Sequence, residues 1–217
     1  MSNVETPVIT YSREEEIANT VSHVVGFVAA GVAFGFLAYK GLQQLPTWGN
    51  VGVLVYGFSL LLAFACSSLY HGTIDSRLKL LFKKLDHISI YFLISGSYTV
   101  LILNRIMNTQ GYLFLAALWA MTLVGTWFKA RYVHRYKVFS TLIYVFMGYI
   151  MVLDPWLFLG ILSREGKILL VLSGFFYTAG AGFYLWKSKS WTHVTWHIFV
   201  MIAAGLHYAA VYRELFV

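Results

Sequence analysis

Charged side chains are scarce in this sequence, and their scarcity alone excludes most classes of protein. Only 12% of the 217 residues are Asp, Glu, Lys or Arg, and 59% are apolar or aromatic. Soluble domains average roughly 25% charged and roughly 45–50% apolar residues. Because so few charges cannot cover a water-facing surface, a soluble enzyme, a disordered regulator and a collagen-like fibre are excluded. The composition predicts an integral membrane protein.

Cysteine and proline are also rare. The single cysteine, Cys66, excludes an intramolecular disulfide and a thiolate metal cluster. With only three prolines, most membrane spans should be uninterrupted helices. The net charge of +7 does not indicate a nucleic-acid partner, because basic loops have a simpler cause in membrane proteins.

Long apolar windows predict an all-α fold, a bundle of seven transmembrane helices. The windows cover residues 17–39, 51–71, 85–104, 111–128, 138–153, 168–186 and 193–212. The connections are short, so residues 17–213 are predicted to form one domain, preceded by a polar tail over residues 1–16. Barrel strands are excluded because the apolar runs lack period-two alternation. The fifth window is the shortest and ends at Asp154-Pro155, a natural stop signal.

The distribution of Lys and Arg predicts the orientation of this bundle. Eleven of the sixteen lie in the tail and in the second, fourth and sixth loops, which share one side. The other side holds Lys40, Arg105, Arg164, Lys167 and Arg213. By the positive-inside rule, the N-terminus is predicted to be cytoplasmic and the C-terminus outside. The expected location is the plasma membrane, crossed several times.

Ionisable residues are costly at membrane depth, so those in the spans are candidate functional residues. His71 ends the second span, Asp86 begins the third, and His193 and His197 begin the seventh, all at the predicted cytoplasmic side. The four-residue spacing of His193 and His197 places both imidazoles on one helical face. Together with His71 they would give three nitrogen ligands and one open position, which is typical of catalytic zinc.

Two oxygen-bearing side chains could complete a catalytic site. Asp86 could orient a metal-bound water and accept its proton. Ser67 lies four residues before His71 on the same helical face, and its hydroxyl could support the water or a substrate carbonyl.

Other readings of these residues stay open. A H-x-x-x-H pair also occurs as an interhelical hydrogen-bonding pair, and Ser67 could bond a carbonyl of its own helix. His87 points about 100° away from Asp86, which favours a supporting or packing role. His207 lies more than two turns from His197, too far to bind the same metal.

Four segments, in order and with characteristic spacing, resemble the hemolysin III group of the progestin and adipoQ receptor (PAQR) superfamily. The stretch EEEIANTVSHVVG resembles the opening motif, with Glu16, Asn19 and His23 on adjacent turns. The other three are SSLYH, KKLDHISIYFLISGSYT and HVTWHIFVMIAAGLH, and the similarity runs from about Glu14 to Tyr212. One departure is visible: Val100 follows Thr99 where the family motif usually has proline.

The resemblance implies a seven-helix bundle with a cytoplasmic N-terminus and zinc held by His71, His193 and His197. It further implies that Asp86 reaches the metal through a water, with Ser67 nearby. Relatives in the adiponectin-receptor branch are linked to zinc-dependent hydrolysis of ceramide-like amides, and the bacterial branch to membrane-lipid homeostasis. The remaining motif residues are expected to support the ligands or the packing: His87, Glu16, Asn19, His23 and His207.

Three functions remain in contention. The first is a zinc-dependent hydrolase that cleaves an amide or ester of a membrane lipid. The second is a non-enzymatic receptor or lipid-state sensor braced by zinc. The third is a pore or transporter, which the hemolysin name favours, although the sequence shows no repeated halves with broken helices. Nothing in the sequence indicates the oligomeric state.

Overall fold

The computed structural model describes residues 11–133, 135–186 and 189–217, and their regular structure is helical. Ten residues of the predicted N-terminal tail lie outside this range, and so do His134, Lys187 and Ser188. The helices are α1 (Arg13–Gln44), α2 (Thr47–Gly72), α3 (Ser76–Arg105), α4 (Thr109–Tyr132), α5 (Lys137–Gly148), α6 (Pro155–Leu159), α7 (Arg164–Leu185) and α8 (Thr192–Phe216). A short 3₁₀ turn (Ile150–Leu153) precedes α6.

Six of these helices are long and apolar enough to cross a membrane, namely α1, α2, α3, α4, α7 and α8. Large apolar side chains such as Phe58, Leu123 and Val171 are exposed on their outer faces. Such a surface is stable only against lipid. The prediction of an all-α, multi-pass membrane protein is therefore confirmed.

The fifth predicted span, residues 138–153, is not one long helix. It is divided into α5, the 3₁₀ turn and α6. Asp154 caps α6 by accepting a hydrogen bond from the backbone N–H of Leu157 at 3.0 Å, and Pro155 occupies its first turn. Proline at this position starts a helix but cannot continue one, because it lacks an N–H. The predicted count of seven membrane helices and the orientation of the termini stay predictions.

The helices pack around a central space. α1 packs on α2, α2 on α3, α3 on α5, α5 on α7, α7 on α8, and α8 returns to α1. α4 packs against the outside of α3. α2 ends, and α3 and α8 begin, at one end of this ring. We call this end of the ring, which holds His71, Asp86, His193 and His197, the site end.

A close contact between α2 and α3 involves Val100, the position where the family motif usually has proline. α3 continues without interruption through this residue. A Cβ atom added at Gly52 of α2 would lie 3.0 Å from the Cα atom of Val100 and 3.3 Å from the carbonyl oxygen of Thr99. Glycine at position 52 therefore allows the backbones of α2 and α3 to approach closely, as small residues do in membrane bundles.

Replacing Gly52 by alanine should destabilise the bundle. The added methyl group meets backbone atoms, which cannot rotate away, so we expect a loss of about 1–3 kcal/mol. The measurement is thermal unfolding in detergent. The control is Gly35→Ala, because no atom lies within 4 Å of a Cβ at Gly35. Equal melting temperatures for the two variants would contradict this packing.

Candidate metal centre

Three buried histidines meet at the site end of the bundle. The last turn of α2 supplies His71, and the first two turns of α8 supply His193 and His197. The Nε2 atom of His193 lies 3.1 Å from Nε2 of His71 and 3.2 Å from Nε2 of His197. The candidate ligand atoms all lie within 4.8 Å of one another, so these histidines could hold a metal ion.

Helix α1 fixes the orientation of the His71 ring. The Nδ1 atom of His71 donates a hydrogen bond to Oε2 of Glu16 at 2.7 Å. The other carboxylate oxygen of Glu16 pairs with Nζ of Lys79 at 2.9 Å. Because the proton is held on Nδ1, Nε2 presents its lone pair to the cluster.

The ring of His197 is fixed in the same way. Its Nδ1 atom lies 3.2 Å from the backbone carbonyl oxygen of Asn19 and 3.2 Å from Oγ of Ser22. The Ser22 hydroxyl itself donates to that carbonyl at 2.9 Å, so it accepts from His197. The Nε2 atom of His197 is therefore also left as an acceptor.

Two residues that the sequence analysis did not single out position α8. Glu15 forms a capping box with Ser12 at the start of α1, and its Oε1 atom accepts the backbone N–H of Trp191 at 2.6 Å. Trp191 adopts a left-handed backbone conformation, with φ of 66°, directly before α8. The Ser-x-x-Glu pattern reveals the capping box in the sequence. The contact with Trp191, 176 residues away, becomes visible only in the fold.

Tyr11 covers the cluster from the tail. Its ring stacks on that of His193, with centroids 4.8 Å apart. Burial raises the pKa of the Tyr11 phenol, and the nearby carboxylates of Glu16, Asp86 and Glu15 raise it further. The neutral phenol thus closes the cluster on the side of the tail.

The histidine cluster borders an internal cavity of about 210 Å³. His193 and His197 line it together with Asp86 and Ser67. Ser67 is buried and lies within hydrogen-bonding reach of the Asp86 carboxylate, which stays partly accessible. The structure therefore brings Asp86 and Ser67 to the same wall as two of the three histidines.

The other predicted site residues lie around this centre. His23 stacks on His197 with centroids 3.6 Å apart, and neither of its ring nitrogens has a hydrogen-bond partner among the described residues. His87 bonds the carbonyl oxygen of Lys83 at 2.7 Å and the Tyr184 hydroxyl at 3.0 Å, so it joins α3 to α7. His207 also lines the cavity, ten residues beyond His197 along α8.

Comparison with known proteins identifies the family. The family model described as "Haemolysin-III related" matches residues 11–208. This chain belongs to the haemolysin-III related family. It is 34% identical to the "Hemolysin-3 homolog" of Bacillus subtilis (strain 168), over 88% of this chain and 90% of the relative. "Hemolysin-3" of Bacillus cereus is 32% identical over 91% of this chain and 90% of its own length.

The haemolysin-III family also connects this chain to animal proteins. The human "Monocyte to macrophage differentiation factor" is 28% identical over 93% of this chain and 85% of its own length. The resemblance to the hemolysin III group of the PAQR superfamily is thereby confirmed.

Replacing His71, His193 or His197 by alanine should remove a metal ion bound to the purified haemolysin-III protein. Each change deletes one of three nitrogen ligands, so we expect about one metal ion per chain in the wild type and almost none in the variants. Elemental analysis by mass spectrometry measures this. His87→Gln is the control, because His87 faces Tyr184 instead of the cluster. Metal retained in the three alanine variants, or lost equally from the control, would contradict the assignment.

Glu16→Gln should weaken metal binding without abolishing it. The change removes the charge that holds the proton on Nδ1 of His71, and such losses typically cost about 10–100-fold in affinity. Chelator competition measures the affinity. Glu14→Gln is the matched control, since Glu14 is exposed two residues away. Equal affinities for the Glu16 variant and the wild type would show that Glu16 does not support the ligand.

Proposed function

We propose that this protein is a zinc-dependent hydrolase that cleaves an amide or ester bond of a membrane lipid. His71, His193 and His197 would hold the zinc ion. The observation that carries the proposal is the shared wall of the cavity, where two of these histidines lie beside Asp86 and Ser67. A metal centre, a carboxylate and a hydroxyl at one apolar cavity form a set suited to lipid hydrolysis.

The spacing of the histidine nitrogens supports zinc in particular. Zinc binds imidazole nitrogen at about 2.0–2.1 Å in tetrahedral geometry, which places neighbouring nitrogens about 3.3 Å apart. Two of the three separations, 3.1 and 3.2 Å from His193, are close to this value, and all three candidate ligand atoms lie within 4.8 Å of one another. The backing of His71 by Glu16 and of His197 by the Asn19 carbonyl is also typical of zinc ligands.

The proposed reaction adds one water molecule across the lipid bond. When bound, zinc would polarise the carbonyl group and lower the pKa of a water molecule. The water oxygen attacks the carbonyl carbon of the lipid, and Asp86 accepts the proton that the water loses. The bond from that carbon to nitrogen or oxygen then breaks, and Asp86 returns the proton to the leaving group, which departs as an amine or an alcohol. Ser67, which lines the same cavity wall, would help to keep the Asp86 carboxylate in position.

The cavity favours a lipid over a polar substrate. Beyond the site end its walls are largely apolar, with Phe64, Leu93 and Val200 among the lining residues. An acyl chain has no polar groups of its own to lose their hydrogen bonds against these walls, whereas a polar substrate has several. This agrees with a substrate drawn from the surrounding membrane.

In the proposed topology, the protein crosses the membrane seven times. Residues 137–159, with α5, the 3₁₀ turn and α6, would form a broken seventh crossing beside the six long helices. Ile150 and Phe158 of this segment are buried against the bundle, whereas the apolar side chains of Val152, Leu153 and Trp156 are exposed and would face lipid. The excess of Lys and Arg on one side supports a cytoplasmic N-terminus, and the site end would then face the cytoplasm. The proposed location is the plasma membrane.

A zinc-braced sensor is the second candidate, because the cluster connects three helices. Glu16 and Asn19 of α1 bond His71 of α2 and His197 of α8. A metal ion at this junction would hold α1, α2 and α8 together without any turnover. The pore alternative has support only from the names of the hemolysin relatives.

Asp86→Asn separates the hydrolase from the sensor. Asparagine keeps the shape of the side chain but cannot accept the proton, so we expect lipid amide turnover to fall by about 10²–10⁴-fold with zinc retained. Product release from detergent-solubilised lipid amides and zinc content would be measured on the same preparation.

The control for this experiment is Asp75→Asn. Asp75 caps α3 on an exposed loop, and asparagine caps equally well. Full turnover in the Asp86 variant would eliminate Asp86 as the proton carrier. If the wild-type protein binds zinc but cleaves no lipid amide or ester, the result would favour the sensor.

A further inference from the structure

A second polar site lies deep in the cavity, away from the histidine cluster. Tyr56 of α2 and His207 of α8 both line the wall, and the Tyr56 hydroxyl lies 3.3 Å from Nδ1 of His207. Tyr177 of α7 lines the same cavity. Among the described residues, Nε2 of His207 and the Tyr177 hydroxyl have no hydrogen-bond partner. The apolar side chains of Phe64, Leu93 and Val200 also line the cavity.

We propose that Tyr56, Tyr177 and His207 form a polar subsite that binds an oxygen group partway along the acyl chain of a lipid. The inference rests on the proposed function, since it assumes that a lipid chain enters the cavity. The oxygen group is a hydroxyl or a carbonyl, because His207 and the tyrosine hydroxyls can both donate and accept. The unused positions of His207 and Tyr177 would otherwise face an apolar chain without a partner, which is unfavourable.

Two helices give the distance of this subsite from His197 and Ser67, which line the cavity at the site end. His207 follows His197 by ten residues on α8, which is about 15 Å at the rise of an α-helix. Tyr56 precedes Ser67 by eleven residues on α2, which is about 16 Å. An extended acyl chain spans this distance with roughly twelve carbon–carbon bonds laid in a zigzag. The subsite therefore favours oxygen near the middle of a long chain over oxygen beside the head group.

The cavity continues past the subsite. Ile106, Phe158 and Leu162 line its far end, and all three are buried and apolar. The tail of the chain beyond the oxygen group would lie against these residues.

The test compares three C18 amides that share one head group: stearamide, its 12-hydroxy derivative and its 3-hydroxy derivative. Binding to zinc-loaded, full-length wild-type protein in detergent is measured by competition with a fluorescent fatty amide. We expect the 12-hydroxy amide to bind about tenfold more tightly than the other two, the gain typical of one good hydrogen bond. Equal affinities, or no binding of any of the three, would overturn the subsite.

Variants test which residues are responsible. His207→Leu, Tyr56→Phe and Tyr177→Phe should each reduce the preference for the 12-hydroxy amide, and His207→Gln should restore part of it. Tyr208→Phe is the matched control, because the Tyr208 hydroxyl donates to the Ala33 carbonyl oxygen at 2.9 Å, away from the cavity. An unchanged preference in all three phenylalanine and leucine variants would contradict the assignment.

Binding and turnover separate the two proposals. A protein that prefers the 12-hydroxy amide but never hydrolyses it would refute the hydrolase and leave the subsite intact. A protein that hydrolyses lipid amides without this preference would refute the subsite alone.

Discussion

Three imidazole nitrogens turned towards one point form the constraint on which the site end of this molecule depends. The Nε2 atom of His193 lies 3.1 Å from that of His71 and 3.2 Å from that of His197 inside an apolar bundle, an arrangement that a shared cation would stabilise. The surrounding contacts keep the nitrogens in this orientation. Glu16 holds the outer nitrogen of His71, and the Asn19 carbonyl oxygen holds that of His197. The first turns of α1 therefore fix the rings of two of the three candidate ligands.

The same junction connects packing to the proposed chemistry. α2 and α8 can present their histidines together because α1 packs against both. Glu15 adds a second anchor at the start of α8, through the backbone N–H of Trp191. Asp86 reaches the same region from α3, which stays close to α2 where Gly52 meets Val100. The packing of α1, α2, α3 and α8 thus determines how the candidate ligands and Asp86 lie relative to one another.

The sequence was sufficient for the features that depend on hydropathy and spacing. Continuous apolar windows predicted the six long helices, because a membrane span needs a long apolar run. The i, i+4 spacing of His193 and His197 and the terminal position of His71 predicted the cluster. The division of residues 137–159 was not predicted, because hydropathy records the apolar character of a segment but not its backbone. Glu15, Ser22, Lys79 and Tyr11 were missed, since their contacts depend on which helices become neighbours.

Crystallography at the zinc absorption edge tests the central claim most directly, because it locates the metal without assuming any activity. The account predicts one anomalous peak in the protein purified without added metal, about 2.0–2.1 Å from the Nε2 atoms of His71, His193 and His197. Folded protein without a peak at this position, or with its only peak at other residues, would contradict the account.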